Sequence, residues 1–465
     1  MSAVPQVPPL HIPPLHIPHS ACTGNVWPAI TTDDAARMLA LQYQFEQSQW
    51  WPPEQIAEMQ LRQFRQVYAH ALATVPFYRQ RPAGRAAAEV TDWQRYRELP
   101  VITRSAVQQA GDAMHSTAPP REHGALTRTE SSGSSGAPLV TPGTQWTQLL
   151  WQALLLREHL WHGRDLRGKL AAIRSKTTDA QYPVWGPATA AFVTGPSVVR
   201  DLSADLDEQL QWLVREDPDY LMSYATNAQA LAVRSLQLGL RLPRLKQVRT
   251  YGEMLRPEAR GVVREAWGVE IADSYSAEEL GYIALQCPEG GQYHVQAESL
   301  IVEVLKPDGA PCLPGETGQV VVTTLHNFAM PLIRYASGDF AEVAGPCACG
   351  RGLPALRRIV GRQRNMLVRP DGVRHWPSFP SEAWREIAPV TQIQLVQDTT
   401  DHILARVVAS REISAEEQAR FIAALQGCLG WPFRITIAHV EAIARGAGGK
   451  YEDFVSLVNT ARSEE

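Results

Sequence analysis

Three groups of residues in this chain have types and spacing suited to chemistry. The first is Thr129-Glu130-Ser131-Ser132-Gly133-Ser134-Ser135-Gly136-Ala137-Pro138. Small hydroxylated residues and glycines offer backbone N–H groups and hydroxyls that cradle phosphate oxygens; the same composition also makes a linker. It is not a Walker loop, because G-x-x-x-x-G-K-[ST] is absent, and Gly448-Gly449-Lys450-Tyr451 fails the same pattern at Tyr451. The second group is Cys287 and His294 with Cys347 and Cys349. Three thiols and one imidazole make a closed tetrahedral set for a structural zinc, with no open position for catalysis. The other reading is buried or free thiols without zinc. The third is Lys450, at the end of Arg445-Gly446-Ala447-Gly448-Gly449. A lysine there is either a solvated loop residue or a charge that a glycine-rich loop delivers on closure.

The elements that must hold these groups follow from periodicity. Ile56 to Ala73 carries apolar residues at helical spacing, and Pro76 is expected to stop that helix. Thr32-Asp33-Asp34 reads as an earlier helix start. Gln145 to Leu160 is a further helix, rich in Trp and Leu. In the middle, strands (Leu170 to Ile173, Gln247 to Tyr251, Val269 to Ala272) alternate with helices (Leu206 to Glu216, Asn227 to Leu238, Pro257 to Trp267). That alternation implies an α/β domain built on a parallel sheet with crossover helices. After Gly281 the period becomes two, and Leu300 to Leu305 and Gly318 to Leu325 read as antiparallel strands. A small α+β domain of about 100 residues closes the chain, with strands at Ile393 to Val396, Ile403 to Val408 and Arg434 to Ala438 and a helix at Ala415 to Leu425.

Composition narrows the function classes. The chain has 465 residues, 45% hydrophobic and 20% charged, as expected of a globular protein with more than one domain. The 44 Lys+Arg against 48 Asp+Glu give a net charge of −4, which argues against a general nucleic-acid binder. Mean hydropathy is −0.22 and no long apolar run occurs, so no membrane span is expected. Six cysteines are too sparse for a disulfide scaffold and read as a reducing, cytoplasmic compartment. Residues 1–31 hold a short duplication, Pro8-Pro9-Leu10-His11-Ile12 and Pro13-Pro14-Leu15-His16-Ile17, and read as a disordered Pro/His-rich tail rather than a secretory signal. His159, His162, His375 and His402 occur singly and read as structural or exposed. Trp151, Trp185 and Tyr224 read either as core or as walls of an aromatic acyl pocket.

Further motifs lie in order along the chain: Thr250-Tyr251-Gly252-Glu253, Ser274-Tyr275-Ser276-Ala277-Glu278-Glu279, Arg334-Tyr335-Ala336-Ser337-Gly338-Asp339 and Gly361-Arg362, then Gly448-Gly449-Lys450. The series resembles the adenylate-forming superfamily, and more narrowly the phenylacetate-CoA ligase branch. Val75-Pro76-Phe77-Tyr78, Ala329-Met330-Pro331-Leu332-Ile333 and Cys349-Gly350-Arg351 fit that branch too. The resemblance implies a large N-terminal α/β adenylation domain, residues 32–362, and a small mobile C-terminal lid, residues 363–465, carrying the catalytic lysine.

It also implies roles. Ser131, Ser132, Gly133, Ser134, Ser135 and Gly136 would hold the ATP phosphates, with Ala137 where many relatives have Lys. Gly252 and Glu253 would border the adenine, and Tyr275 would lie against it. Glu279 would bind Mg²⁺, Asp339 the ribose hydroxyls, and Arg362 would sit at the hinge. Lys450 would reach the α-phosphate and the substrate carboxylate. Ser276 and Glu278 depart from the family's Gly and hydroxyl residue, and Arg364 and Asn365 stand where the branch has two Asp. The implied activity is ATP-dependent activation of a carboxylic acid, by default an aryl or arylacetic acid, followed by transfer to coenzyme A. A carrier-protein phosphopantetheine arm or an amine are alternative acceptors, and a nucleotide-binding interaction protein without catalysis is the reading from another class.

Overall fold

The computed structural model describes residues 20–130, except 81–89, and 139–458, except 380–382, 385 and 446–449. Two compact units make up the chain: Met1–Ser337 with Ala341–Ile359, and Gly338–Phe340 with Val360–Glu465.

The first unit begins with two helices, Asp33–Ser48 and Pro53–Thr74. Thr32 caps the former by accepting from Ala35 N through its side chain. The second helix begins one turn before the expected Ile56, because Pro53 fits a first helical position where no N–H is needed. The expected stop before Pro76 holds, and the same physics lets that proline begin the next element. The helix ends at Thr74, and Pro76 opens a new short helix, Pro76–Gln80. A hairpin follows, β1 (Leu126–Glu130) and β2 (Val140–Thr144), with Glu130 opposite Val140. Thr144 and Thr147 then form a reciprocal cap at the start of the helix Gln145–Trp161.

Among the described residues, the large sheet has twelve strands. In chain order they are β3 (Leu170–Arg174), β4 (Ala180–Tyr182), β5 (Ser197–Asp201), β6 (Tyr220–Tyr224), β7 (Gln247–Tyr251) and β8 (Glu270–Ala277). Then come β9 (Gly281–Gln286), β10 (Tyr293–Val295), β11 (Leu300–Leu305), β12 (Thr317–Thr324), β13 (Tyr335–Val343) and β14 (Ala355–Arg362). Their order is β11-β12-β13-β14-β10-β9-β8-β7-β6-β3-β5-β4. The block from β5 through β3, β6 and β7 to β8 is parallel. Its crossovers are the helices Leu206–Glu216, Ala225–Leu238 and Pro257–Trp267, as the alternation predicts. Leu210, Leu213, Leu231, Val248, Val263 and Ile271 interlock in one apolar core between these helices and strands. Each such fully buried aliphatic side chain contributes about 1.5–3 kcal/mol. The pairs β8–β9, β9–β10, β10–β14 and β11–β12 are antiparallel, matching the change of period after Gly281.

Open parallel sheets offer ligand sites outside the carboxyl ends of their strands. Here those ends bring Arg174, Tyr224, Tyr251 and Ala277 to one edge.

The second unit holds a two-stranded ribbon, β15 (Leu367–Val368) and β16 (Arg374–His375). Its sheet contains β17 (Val390–Thr399), β18 (His402–Ala409), β19 (Arg434–His439) and β20 (Phe454–Ser456), in the order β19-β18-β17-β20. The helix Ala415–Leu429 crosses from β18 to the parallel β19 and buries Phe421, Leu425 and Leu429 against Leu395, Ile403 and Phe454. No described helix is long and apolar enough to cross a membrane.

Candidate functional site

The predicted phosphate loop, Ser131 to Pro138 with Ser132, Gly133, Ser134, Ser135, Gly136 and Ala137, lies outside the described residues, as do Gly448 and Gly449. Its stems are described. Thr129 closes against Thr141 in the β1–β2 hairpin, and its hydroxyl donates to the Thr141 carbonyl at 3.1 Å. Both threonines line a cavity of about 60 Å³ that also takes in Gln148, Trp151, Glu279, Tyr282, His326 and Asn327.

Glu279 lies in the turn between β8 and β9, and its side chain is 8% exposed. An isolated carboxylate so buried would be costly, and it is compensated. Arg104 Nη1 donates to Oε1 at 3.1 Å and the Tyr335 hydroxyl donates to the same oxygen at 3.2 Å. Burial, with Glu279 beside it, pushes the Tyr335 phenol well above its ordinary value, so it stays a proton donor. Sequence reasoning named Tyr335 only as part of a motif and missed Arg104, which no local pattern marks.

The ends of β7 and β8 position the other first-unit residues. Glu253 accepts from Thr226 N at 3.0 Å and Thr226 Oγ1 at 2.7 Å, at the positive end of the helix Ala225–Leu238. Gly252 precedes it, at the end of β7. Tyr275 is buried in the core, opposite Ala284. Tyr224 stacks at a tilt on Tyr251, with ring centres 4.9 Å apart, and its hydroxyl bonds Ser175 Oγ at 2.8 Å.

One cavity wall is anchored by buried charge. Arg249 reaches the Tyr282 hydroxyl at 2.9 Å and Glu158 at 2.6 Å, and Arg164 meets the other Glu158 oxygen at 2.9 Å. Burial alone would raise the Glu158 pKa, yet the Arg249 and Arg164 guanidiniums hold it well below the usual carboxylate range. His162 beside them is neutral. Burial, then Arg164, lowers its pKa to about 4. Of the three aromatic residues proposed for an acyl pocket, Trp151 lines this cavity. Trp185 instead packs against His159 and Tyr220 and donates to the Gly168 carbonyl.

In the second unit, Arg362 Nε meets Asp339 Oδ1 at 3.3 Å. Lys450 is half-buried and stands just before β20. The segment behind it is tied down by Arg364 Nη2 on Glu452 Oε1 at 2.5 Å and Asn365 Nδ2 on the Phe454 carbonyl at 2.6 Å.

The cysteine–histidine set converges. The ligand atoms of Cys287, His294, Cys347 and Cys349 all lie within 4.8 Å of one another. Cys347 and Cys287 sulfurs are 3.9 Å apart, and His294 Nε2 is 3.2 Å from the Cys349 sulfur. Backbone N–H groups of Gly290 and Arg351 point at Cys287 and Cys349 sulfurs, at 3.4 and 3.5 Å. His294 Nδ1 donates to the Leu353 carbonyl at 3.4 Å, which leaves the Nε2 lone pair directed at the thiols. Gly290 is required by close approach: a Cβ there would sit 2.3 Å from the Cys347 sulfur.

Comparison with known proteins agrees with this architecture. The family model of the CapK C-terminal domain matches residues 367–456. The phenylacetate-coenzyme A ligase of Thermus thermophilus is 27% identical over 392 residues, covering 78% of this chain and 85% of that protein. The enzyme of the same name from Pseudomonas putida is 23% identical over 360 residues, covering 73% and 76%. A 2-hydroxyisobutyryl-CoA ligase, solved in the postadenylation state with 2-HIB-AMP, superposes with a TM-score of 0.72 at 19% identity, covering 90% of this chain and 92% of that one. The fold is therefore that of the two-domain adenylate-forming ligases.

Proposed function

We propose, from the premise that this chain belongs to the adenylate-forming superfamily and its phenylacetate-CoA ligase-like branch, that it is an AMP-forming acid–CoA ligase. One observation carries the reading at the level of geometry: both stems of the Ser131–Pro138 loop and the buried Glu279 carboxylate line a single cavity. Phosphate-cradling and metal-binding groups are needed together where pyrophosphate departs.

In the first half-reaction the substrate carboxylate oxygen attacks the α-phosphorus of ATP. The bond to the bridging oxygen breaks and pyrophosphate leaves. The acid is already ionised at neutral pH, so no general base is needed. The chemistry asks for fixed positive charge and alignment. Lys450 supplies charge at the α-phosphate, Asp339 accepts from the ribose hydroxyls, and Arg362 stands beside it. Gly252, Glu253 and Tyr275 frame the adenine. Glu279 is the residue that would hold Mg²⁺, whose preference for carboxylate and phosphate oxygens it meets; when bound, the ion neutralises charge on the departing phosphates. In the second half-reaction the coenzyme A thiol attacks the acyl carbonyl and AMP leaves. Residues 32–362 act as the adenylation domain and residues 363–465 as the lid. Trp151 and Tyr282 favour an aryl or arylacetic acid.

We assign Cys287, His294, Cys347 and Cys349 to one structural zinc. Zinc–sulfur bonds of about 2.3 Å in a tetrahedron put sulfurs about 3.8 Å apart, close to the 3.9 Å between Cys287 and Cys347. Thiol ligands of this kind suit a reducing, cytoplasmic setting.

The test is pyrophosphate release with ATP and Mg²⁺ over a panel of aryl, arylacetic and fatty acids, with hydroxylamine as trapping nucleophile. Acid-dependent release, followed by thioester formation with coenzyme A, is the expected result. Adenylation without transfer to coenzyme A would direct the search to a carrier protein or an amine. ATP binding without any release would overturn the enzyme reading in favour of a nucleotide-binding interaction protein.

A further inference from the structure

Each of the four residues that follow Lys450 is anchored within the second unit. The Tyr451 hydroxyl donates to the Ile393 carbonyl. The Glu452 carbonyl accepts from Gln394 Nε2 at 2.9 Å, and the Asp453 carbonyl accepts from Leu395 N at 2.7 Å. Phe454 is buried and starts β20, parallel to β17. Two further anchors come from the segment just beyond Arg362. Asn365 holds the Phe454 carbonyl, and Arg364 forms an ion pair with Glu452 at 2.5 Å. The Arg364 and Glu452 side chains are 18% and 29% exposed, so solvent screens the pair less than a surface one.

We infer that Arg364 and Glu452 form a clasp that positions Lys450, so that the placement of the lysine charge depends on the residue two beyond Arg362. Glu452 is two residues from Lys450. The clasp fixes the C-terminal root of the lysine while β20 fixes the direction of the chain. A lysine acts on a transition state only when its ammonium is held at the site of developing charge, and a misplacement of about 1 Å can cost about 100-fold. Arg364 is thus a positioning residue acting through Lys450. The inference rests on the adenylation reading and names a part of its machinery that the motifs do not contain.

The experiment measures single-turnover adenylate formation with saturating ATP, reading rate constant and amplitude separately. ATP affinity is measured by titration. The variants are Arg364→Ala, Glu452→Gln, the exchanged pair R364E/E452R, the conservative Arg364→Lys, and Lys450→Ala as reference. The single variants Arg364→Ala and Glu452→Gln should lower the rate constant about tenfold or more, with amplitude and ATP affinity within about twofold. Arg364→Lys should keep part of the rate, and the exchanged pair should recover most of it. A fall in amplitude at unchanged rate constant would mean a merely structural role and overturn the clasp. So would an exchanged pair no faster than the single variants. Wild-type rate in Arg364→Ala beside an inactive Lys450→Ala would sink the clasp and leave the adenylation reading standing. Wild-type rate in Lys450→Ala would remove the role of Lys450 and the clasp with it, while absence of adenylate from the wild type itself would sink the parent reading.

Discussion

A methyl group placed on Gly290 tests the zinc assignment without touching a ligand. A Cβ at that position lies 2.3 Å from the Cys347 sulfur and 3.9 Å from the Cys287 sulfur. Non-bonded heavy atoms settle at about 3.5–4.0 Å, so one side must retreat by more than about 1 Å. Metal–ligand distances tolerate about 0.2 Å. Cys347 is buried and cannot swing into solvent. The backbone of Gly290 is in a conformation that alanine adopts readily, so the conflict falls on the sulfur alone. Gly291 is the matched control: it has φ +68° and open space around it. Alanine there costs about 1–2 kcal/mol of backbone strain and leaves the thiols alone. Wild type and Gly291→Ala should each carry about one zinc per chain after dialysis against a weak chelator. Gly290→Ala should lose it, with affinity down about 100-fold or more by chelator competition. Gly290→Ala with wild-type zinc affinity would refute the steric reasoning, and wild type purified without zinc would refute the assignment.

Lys450→Ala should cut pyrophosphate release by about 100-fold or more with ATP affinity nearly unchanged; unchanged acid-dependent turnover would remove its role. Asp339→Ala should weaken ATP binding by about 10- to 100-fold through loss of a charged hydrogen-bond acceptor, and calorimetric titration showing wild-type affinity would count against the ribose contact. Glu158→Gln leaves Arg164 and Arg249 buried without their counter-charge and should destabilise the fold by about 3–5 kcal/mol; coincident urea curves would contradict this. His162 is neutral when folded, with a pKa lowered to about 4, and regains an ordinary value near 6.5 when unfolded. Its contribution is present above about pH 6.5 and is lost as pH falls towards 4, by up to about 1.4 kcal/mol per pH unit. In His162→Gln that part of the acid slope should vanish, and an identical pH profile of the denaturation midpoint would show the slope arises elsewhere.

Much of the fold was legible because its signals are local. Period and capping put the helices Leu206–Glu216 and Pro257–Trp267, and the strand β7, at the expected residues. Strands of two or three residues, such as β10 and β15, carry too little period to be seen. The convergence of Cys287 and His294 with Cys347 and Cys349 was readable from ligand chemistry, although the long gap between the pairs is closed only by the sheet. The partners of Glu279 were not readable. Arg104 and Tyr335 reach it from distant segments, and nothing local marks a cation that will be buried. Arg157 and Glu158 were likewise not readable. Two adjacent charges on a helix suggest a solvated face, yet Arg157 pairs with Glu298 at 2.9 Å and Glu158 with two guanidiniums, all inside. Arg364 and Asn365 read in sequence as departures from a family pattern; the structure gives both a partner in the segment behind Lys450.

On the proposed reading, in which the acid reaches the Trp151–Tyr282 wall of this cavity, the buried trio of Glu158, Arg164 and Arg249 also constrains how substrate scope can be re-engineered. Tyr282 contributes to the cavity wall and at the same time satisfies Arg249. Replacing it by phenylalanine, the obvious move towards a greasier pocket, would strip a donor deep in the protein of its acceptor and lower stability before it changed selectivity. Trp151 and Gln148 line the same cavity without a buried charge to satisfy, and Trp151 meets the Tyr282 ring edge-on with centres 6.3 Å apart. Libraries aimed at new acids should therefore vary positions 148 and 151 and hold 282 fixed. In this wall, evolvability is partitioned residue by residue, according to which side chains answer to the interior and which only to the ligand.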